Sequence, residues 1–316
     1  MAVRATEPRT PCGEGGRMRG SRLRAGALLA VSLALVLTGC GREGSPTEAP
    51  PRLAHEVARD VSVPGSPTFQ RIQERGRVVV GVKEDQPGLG LRDPVTDEYS
   101  GFDVEVARLI AAQLGMDPDT RIEYRPVPST AREQAISTGE VDYYVGSYTI
   151  SDKRKEQVSF AGPYFMAGQD LLVRPDEHGI TGKDSLQGRT VCSATGSTPI
   201  QNVKEEQLTD PGNIVEFQRY SECVQQLLDH QVDAVTTDDA ILKGYAAEEP
   251  DKLRVVGSTF SEEPYGVGLA KDDAALRSAI NDIIEHAEAD GEWQRMYDAT
   301  LGKSGTPARP PAVERY

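Results

Sequence analysis

The sequence predicts an α/β protein of two similar lobes, each a mixed, mostly parallel sheet flanked by helices. Three observations lead there. β-branched runs alternate with helical stretches in two successive series, the two series share a short internal echo, and roughly 235 residues between low-complexity ends suffice for two lobes.

The first series starts at residues 77–82, RVVVGV, a β-branched strand, followed by residues 102–114, FDVEVARLIAAQL, whose apolar positions recur at helical spacing. Residues 121–127 alternate like a strand. Residues 129–137 read as a helix capped by Ser129 or Thr130, and residues 141–146 as the next strand. The second series runs strand 190–193, helix 199–206, strand 214–217, helix 221–229, strand 232–236 and helix 239–247. The echo is GEVD at 139–142 leading into VGSYTIS, against HQVD at 230–233 leading into AVTTDDA. Both put hydroxyl or carboxylate groups just past the C-terminal end of a strand, where open α/β sheets bind ligands. Two such ends facing each other make a cleft.

The ends of the chain read differently. Residues 1–40 carry six Arg against two Glu, and residues 25–37, AGALLAVSLALVL, are apolar; the start is Met1 or Met18. A basic region, a short apolar run and a small-residue cleavage site make a secretory signal over residues 1–39, too short to span a bilayer comfortably. Leu37-Thr38-Gly39-Cys40 resembles a bacterial lipobox, which implies a lipidated Cys40 and anchoring to the outer face of the plasma membrane. Residues 40–68 are expected to be a flexible linker and residues 304–316 a disordered tail, both from their Pro-rich polar composition. Loss of the signal takes the net charge from −14 to −18, which argues against a nucleic-acid partner. Of the four cysteines, Cys12 and Cys40 belong to this leader, leaving Cys192 and Cys223. In an oxidising exterior a disulfide stapling one lobe is favoured over two buried thiols.

The chemistry concentrates in residues 141–164, where a strand runs into Ser147, Thr149, Ser151 and Arg154. A guanidinium fork, hydroxyls and main-chain N–H groups at a strand-to-helix turn can hold a small acid. The alternative is an ordinary helix cap followed by a solvated arginine.

With GVKEDQPGLG (81–90), SGFDVEVAR (100–108), PSTARE (128–133), GEVDYYVGSYTISDKR (139–154), FAGPYF (160–165), CSATGST (192–198) and VDAVTTDDAIL (232–242), residues 69–301 resemble a known family. It is the bacterial extracytoplasmic solute-binding proteins (family 3) of polar amino-acid ABC transporters, in particular the glutamate/aspartate-binding branch. The resemblance implies a two-lobed periplasmic-binding-protein-like fold with the ligand cleft between lobes. Lobe 1 would comprise residues 69–166 and 263–303, lobe 2 residues 167–262, with hinge crossings near 165–171 and 257–266. It implies that Arg154, Ser147 and Thr149 clamp an α-carboxylate, that Asp238 pairs with the α-ammonium, and that Thr195 and Tyr220 contribute from lobe 2. Lys83, Ser129 and Arg132 would read a side-chain carboxylate. The competing readings are an exposed loop lysine at Lys83 and an exposed helix residue at Arg132.

Three cations against Asp238 leave such a site two charges positive, favouring glutamate or aspartate over the weaker candidates glutamine and asparagine. The expected function is capture of an acidic amino acid and delivery to ABC permease subunits by a lipid-anchored monomer. A receptor signalling to a membrane sensor is the alternative. A dehydratase-like enzyme on the same fold is less supported. The chain has no HExxH, GxSxG, GxGxxG or GxxxxGK[ST] pattern, and its four histidines fall outside the cleft motifs, so no catalytic residue, metal or cofactor is expected.

Overall fold

Burial on both faces is what an unbroken β-branched run requires, and Val78–Val82 (β1) is buried at all five positions, just after α1 (Pro67–Arg75). The computed structural model describes residues 52–316; the signal region and Cys40 lie outside the described residues. After β1 come three short strands, β2 (Asp85–Gln86), β3 (Gly90–Arg92) and β4 (Tyr99–Ser100), which pair antiparallel as a small sheet of their own. The first lobe continues through α2 (Phe102–Gln113), β5 (Ile122–Pro126), α3 (Arg132–Ser137), β6 (Tyr143–Tyr144), α4 (Asp152–Lys155) and β7 (Val158–Ala167). The chain then builds a second sheet with β8 (Gln169–Val173), β9 (Val191–Ala194), α5 (Thr198–Glu205), β10 (Ile214–Phe217) and α6 (Tyr220–Leu228). That sheet is completed by β11 (Ala234–Asp238), α7 (Asp239–Glu248) and β12 (Arg254–Val255). Finally β13 (Glu263–Ala270) returns to the first sheet, followed by α8 (Ala274–Ala289) and α9 (Glu292–Ala299).

The two five-stranded sheets run β5-β1-β6-β13-β7 and β10-β9-β11-β8-β12. In the first, β1 is parallel to β5 and β6 while β13 is antiparallel to β6 and β7. In the second, β9 is parallel to β10 and β11 while β8 is antiparallel to β11 and β12. The long β7–β13 pair lies at the crossing: β7 gives way to β8 across Gly168, and residues 256–262 lead back from β12 to β13. Packing around the first sheet centres on Phe102, whose ring meets Trp293 edge-on at 5.5 Å, while Trp293 stacks on Tyr297 at 5.3 Å. The Trp293 indole N–H donates to the Tyr164 carbonyl at 2.7 Å. In the second lobe a disulfide joins Cys192 on β9 to Cys223 on α6, with Cα atoms 5.5 Å apart.

Several sequence-based boundaries move. The expected linker is packed from residue 52 onward: His55 brings its two ring nitrogens to Glu292 (2.7 Å) and Glu105 (2.9 Å), and Arg108 donates to the Leu53 carbonyl at 3.2 Å. Helix α1 then begins within that stretch, capped by Ser66, whose hydroxyl also donates to Asp273 at 2.7 Å. The expected disordered tail is also held. Tyr316 lies under Lys155 and Arg277, at 4.5 and 4.2 Å from its ring centre, its hydroxyl accepts the Phe160 N–H, and Arg315 pairs with Glu285. In both places polar contacts with residues distant in the chain, buried at His55 and exposed at Arg315 and Tyr316, hold a segment whose composition reads as unstructured. Helix α3 starts at Arg132, three residues late, because the Ser129 hydroxyl is used by Lys83. The strand expected over residues 141–146 pairs only at Tyr143–Tyr144.

The bridge spans 31 residues, so loop-closure entropy alone assigns it about 4 kcal/mol, with about 2 to 4 typical of measured cases. Urea unfolding of a Cys192→Ala/Cys223→Ala variant should lose that amount. A loss below about 1 kcal/mol would mean the reduced chain is already restricted.

Candidate functional site

Four strand ends aim at one space. β1 ends just before Lys83, β6 just before residues 145–149, β9 just before the turn to α5, and β11 at Asp238 itself. Between the lobes, Ser129, Arg132, Ser147, Thr149, Ser197, Thr198, Pro199, Tyr220 and Asp238 line a narrow cavity. The lobes touch around it: Arg132 Nη2 donates to the Gly196 carbonyl at 3.5 Å, and Thr130 Oγ1 lies 3.3 Å from Gln218 Oε1.

Ser147 is a non-glycine residue with φ +44°, a left-handed conformation that the surroundings must hold in place. They do so through Asp103 in the first turn of α2. Its carboxylate accepts the Ser147 N–H at 2.8 Å and the Tyr164 hydroxyl at 2.7 Å, while Ser147 Oγ donates to Gln86 Oε1 at 3.0 Å. Burial pushes the Asp103 carboxyl up to about 6 against those two donors. Thr149 Oγ1 donates to Glu263 Oε2 at 2.7 Å, and its carbonyl accepts from Arg154 Nη1 at 2.7 Å. Ser151, grouped with the anion donors on sequence, caps α4 instead, accepting the Arg154 N–H at 3.3 Å.

Arg132 and Arg154 share one aromatic ring and one carboxylate. Their guanidinium carbons lie 4.2 and 5.1 Å from the Tyr148 ring centre, and their Nε atoms 3.9 and 3.7 Å from Glu133 Oε1, which also accepts the Tyr148 hydroxyl at 2.8 Å. Lys83 reaches the cavity wall through Ser129, donating from Nζ to Oγ at 2.8 Å. Lys83, Arg132 and Arg154 are 6, 2 and 8% exposed, so none is a solvated surface cation. Burial first, and then the charge of Arg132, pulls the Lys83 ammonium down to about 7; burial and Arg132 pull Arg154 down to about 10.

On the opposite lobe Asp238 Oδ2 accepts the Tyr265 hydroxyl at 2.6 Å. Burial, followed by the charge of Glu263, raises its carboxyl well above the usual range. Among the described residues, Asp238 Oδ1 and Arg132 Nε are buried without a hydrogen-bond partner. A donor and an acceptor thus stand unpaired on residues of one wall and the other.

Of the residues singled out on sequence, Ser129, Arg132, Ser147, Thr149, Tyr220 and Asp238 line the cavity, with Lys83 and Arg154 hydrogen-bonded to lining residues. Thr195 does not line it: its hydroxyl turns back to the Phe217 carbonyl at 3.2 Å, and Ser197 and Thr198, at the start of α5, take that wall. Their Ser-Thr-Pro pattern is a helix-start signal that could have pointed to them. Glu133 and Glu263 were missed, and they change the charge count. With them three carboxylates, two buried and Glu133 partly exposed, face the three cations, so the expected excess of two holds only locally, at the Lys83, Arg132 and Arg154 end, where Glu133 is, among the described residues, the carboxylate in contact with the arginines.

Residues 78–303 match the bacterial extracellular solute-binding proteins, family 3. The chain is 44% identical over 241 residues to a glutamate-binding protein of Corynebacterium efficiens, covering 73% of this chain and 80% of that protein. It is 38% identical to a glutamine-binding protein of Geobacillus stearothermophilus, over 78% of this chain and 91% of the other. Among solved structures, an ancestral arginine-binding protein bound to arginine superposes with a TM-score of 0.66 at 33% identity, covering 72% of this chain and 99% of that one. A strand-end cleft of this kind, in a chain matched over this length, has one reading: the protein belongs to family 3 of the bacterial extracellular solute-binding proteins.

Proposed function

We propose that this protein binds an acidic amino acid, glutamate or aspartate, between its lobes and hands it to the membrane subunits of an ABC importer. The observation that carries the reading is the pair of unpartnered buried groups on one cavity, Arg132 Nε at the cationic end and Asp238 Oδ1 opposite. An α-ammonium satisfies the acceptor. The two carboxylates of an acidic amino acid match the cationic end, where Lys83, Arg132 and Arg154 stand against Glu133 in contact with the arginines and Asp85 near Lys83. The glutamate-binding relative supports this choice, and the relatives' names as binding proteins support a site that holds its ligand without reacting it. Glutamine is the second reading, favoured by the 38% identical glutamine-binding relative.

The delivery scheme follows from position. Residues 1–39 act as the export signal and Cys40 as the lipid anchor, holding the lobes at the outer face of the membrane. Residues 69–166 with 263–303, and residues 167–262, move as the two lobes about the crossings near Gly168 and 256–262. Ligand held by both walls shifts the population toward the closed form that the permease reads.

A thermal-shift panel of the twenty amino acids should rank glutamate and aspartate first, since a ligand stabilises by RT ln(1 + [L]/Kd). Glutamine at the head would move the assignment to the amide, and no shift from any of them would end it. Arg154→Ala should weaken binding by at least about 2 kcal/mol, roughly 30-fold, while the free protein stays folded. Unchanged affinity by calorimetry would remove Arg154 from the clamp.

Lys83 supplies the pH test. Its ammonium is charged below about 7 and neutral above, so an anionic ligand must recruit a proton as pH rises. Below pH 7 glutamate affinity should rise with pH, because the raised Asp238 carboxyl must give up its proton to meet the α-ammonium, and once Asp238 is ionised the loss of the Lys83 proton should make it fall by up to about tenfold per unit. Lys83→Met should remove that fall. A fall surviving the substitution would assign it to another group.

A further inference from the structure

We propose that Asp85 is a positioning residue that joins the Lys83 loop of lobe 1 to the first turn of α6 in lobe 2, beside Tyr220, and so latches the lobes over the ligand. The inference rests on the ligand reading above and adds a residue that does not line the cavity. Asp85 stands two positions after Lys83, and Ser221 one after Tyr220. Asp85 Oδ2 accepts the Ser221 N–H at 3.1 Å and lies 3.3 Å from the Tyr245 hydroxyl, which also donates to the Asp85 carbonyl. Beside it Glu84 pairs with Arg219, the residue preceding Tyr220.

Three features make this a latch and not an incidental contact. A carboxylate at the start of a nine-residue helix meets N–H groups that have no partner within the helix, and the positive end of the helix dipole favours it. Next to it α7 is packed so closely that a Cβ on Gly244 would lie 2.2 Å from the Pro87 carbonyl oxygen, so α6 and α7 both seat against residues 84–87. The contacts are partly solvent-accessible, which keeps them weak enough to break each time the ligand leaves. Asp85 is also the leading attractive charge on Lys83, so the group that reads the ligand and the group that holds the lobes share one loop.

A latch formed only in the closed state slows ligand escape without altering ligand entry. Stopped-flow glutamate binding to the whole folded chain, using Asp85→Asn, Tyr245→Phe and the double variant, separates these rates. Asp85→Asn should raise the dissociation rate about tenfold, leave the association rate within about twofold, and leave the melting temperature of the free protein unchanged. Tyr245→Phe should act in the same direction and add little to Asp85→Asn, since the two groups share one contact. Dissociation at the unaltered rate in Asp85→Asn, or full additivity in the double variant, overturns the latch while leaving the ligand reading intact. Failure of the unaltered protein to bind any amino acid overturns the ligand reading, and the latch falls with it.

Discussion

Three cations buried in one small space are the constraint on which the rest of this structure depends. Like charges a few ångströms apart, away from water, repel strongly, and each also loses its hydration. The chain answers with Tyr148, whose ring lies under both guanidinium groups, and with Glu133, which holds the tyrosine hydroxyl and approaches both Nε atoms. The answer is partial. Burial first, and the charge of Arg132 second, lower Lys83 and Arg154, and Arg132 Nε is left without a hydrogen-bond partner. An anion that enters meets groups already oriented and short of partners, so little of its binding energy goes into arranging them.

The backbone serves the same end. Strand ends supply positions that are rigid up to the last paired residue, and the strain of Ser147 is confined to the first residues beyond β6. Asp103, reaching from α2, ties that strained residue to Tyr164 on β7, so the turn is braced from two elements of the first lobe. Glu263 on β13 does the corresponding work at the crossing, accepting a hydrogen bond from the Thr149 hydroxyl and facing Asp238 from the strand that also carries Tyr265. The site is therefore fixed to the hinge strands as firmly as to the lobes.

Much of this was legible in the sequence because periodicity and strand-end chemistry are local. The β-branched run of β1, the helical spacing of α2 and the hydroxyls after β6 each sit within one short window. What escaped was set by partners distant in the chain. Nothing near Glu263 or Glu133 marks them as counter-charges, since Glu263 meets Thr149 from 114 positions away. His55 and Tyr316 likewise looked like parts of mobile ends, because their partners Glu105, Glu292, Arg277 and Phe160 lie elsewhere in the chain. Ser197 and Thr198 escaped for a different reason: one turn contains several hydroxyls, and only the path of the backbone into α5 decides which face the cavity.

Unpartnered groups also explain why closure can be conditional on the ligand. Closing the lobes without a ligand buries Arg132 Nε and Asp238 Oδ1 unpaired, and a buried polar group without a partner costs about 1 to 3 kcal/mol, more when charged. Contacts such as Thr130 with Gln218 and Glu84 with Arg219 favour closure by less, about 0 to 1 kcal/mol each, being partly exposed. The orphans therefore outweigh them. A ligand that satisfies both orphans removes the cost on one side only, and a differential of about 5.5 kcal/mol suffices to move a population from 1:99 to 99:1. Relief of these buried unpaired groups is how, on the proposed reading, a small molecule would make closure favourable.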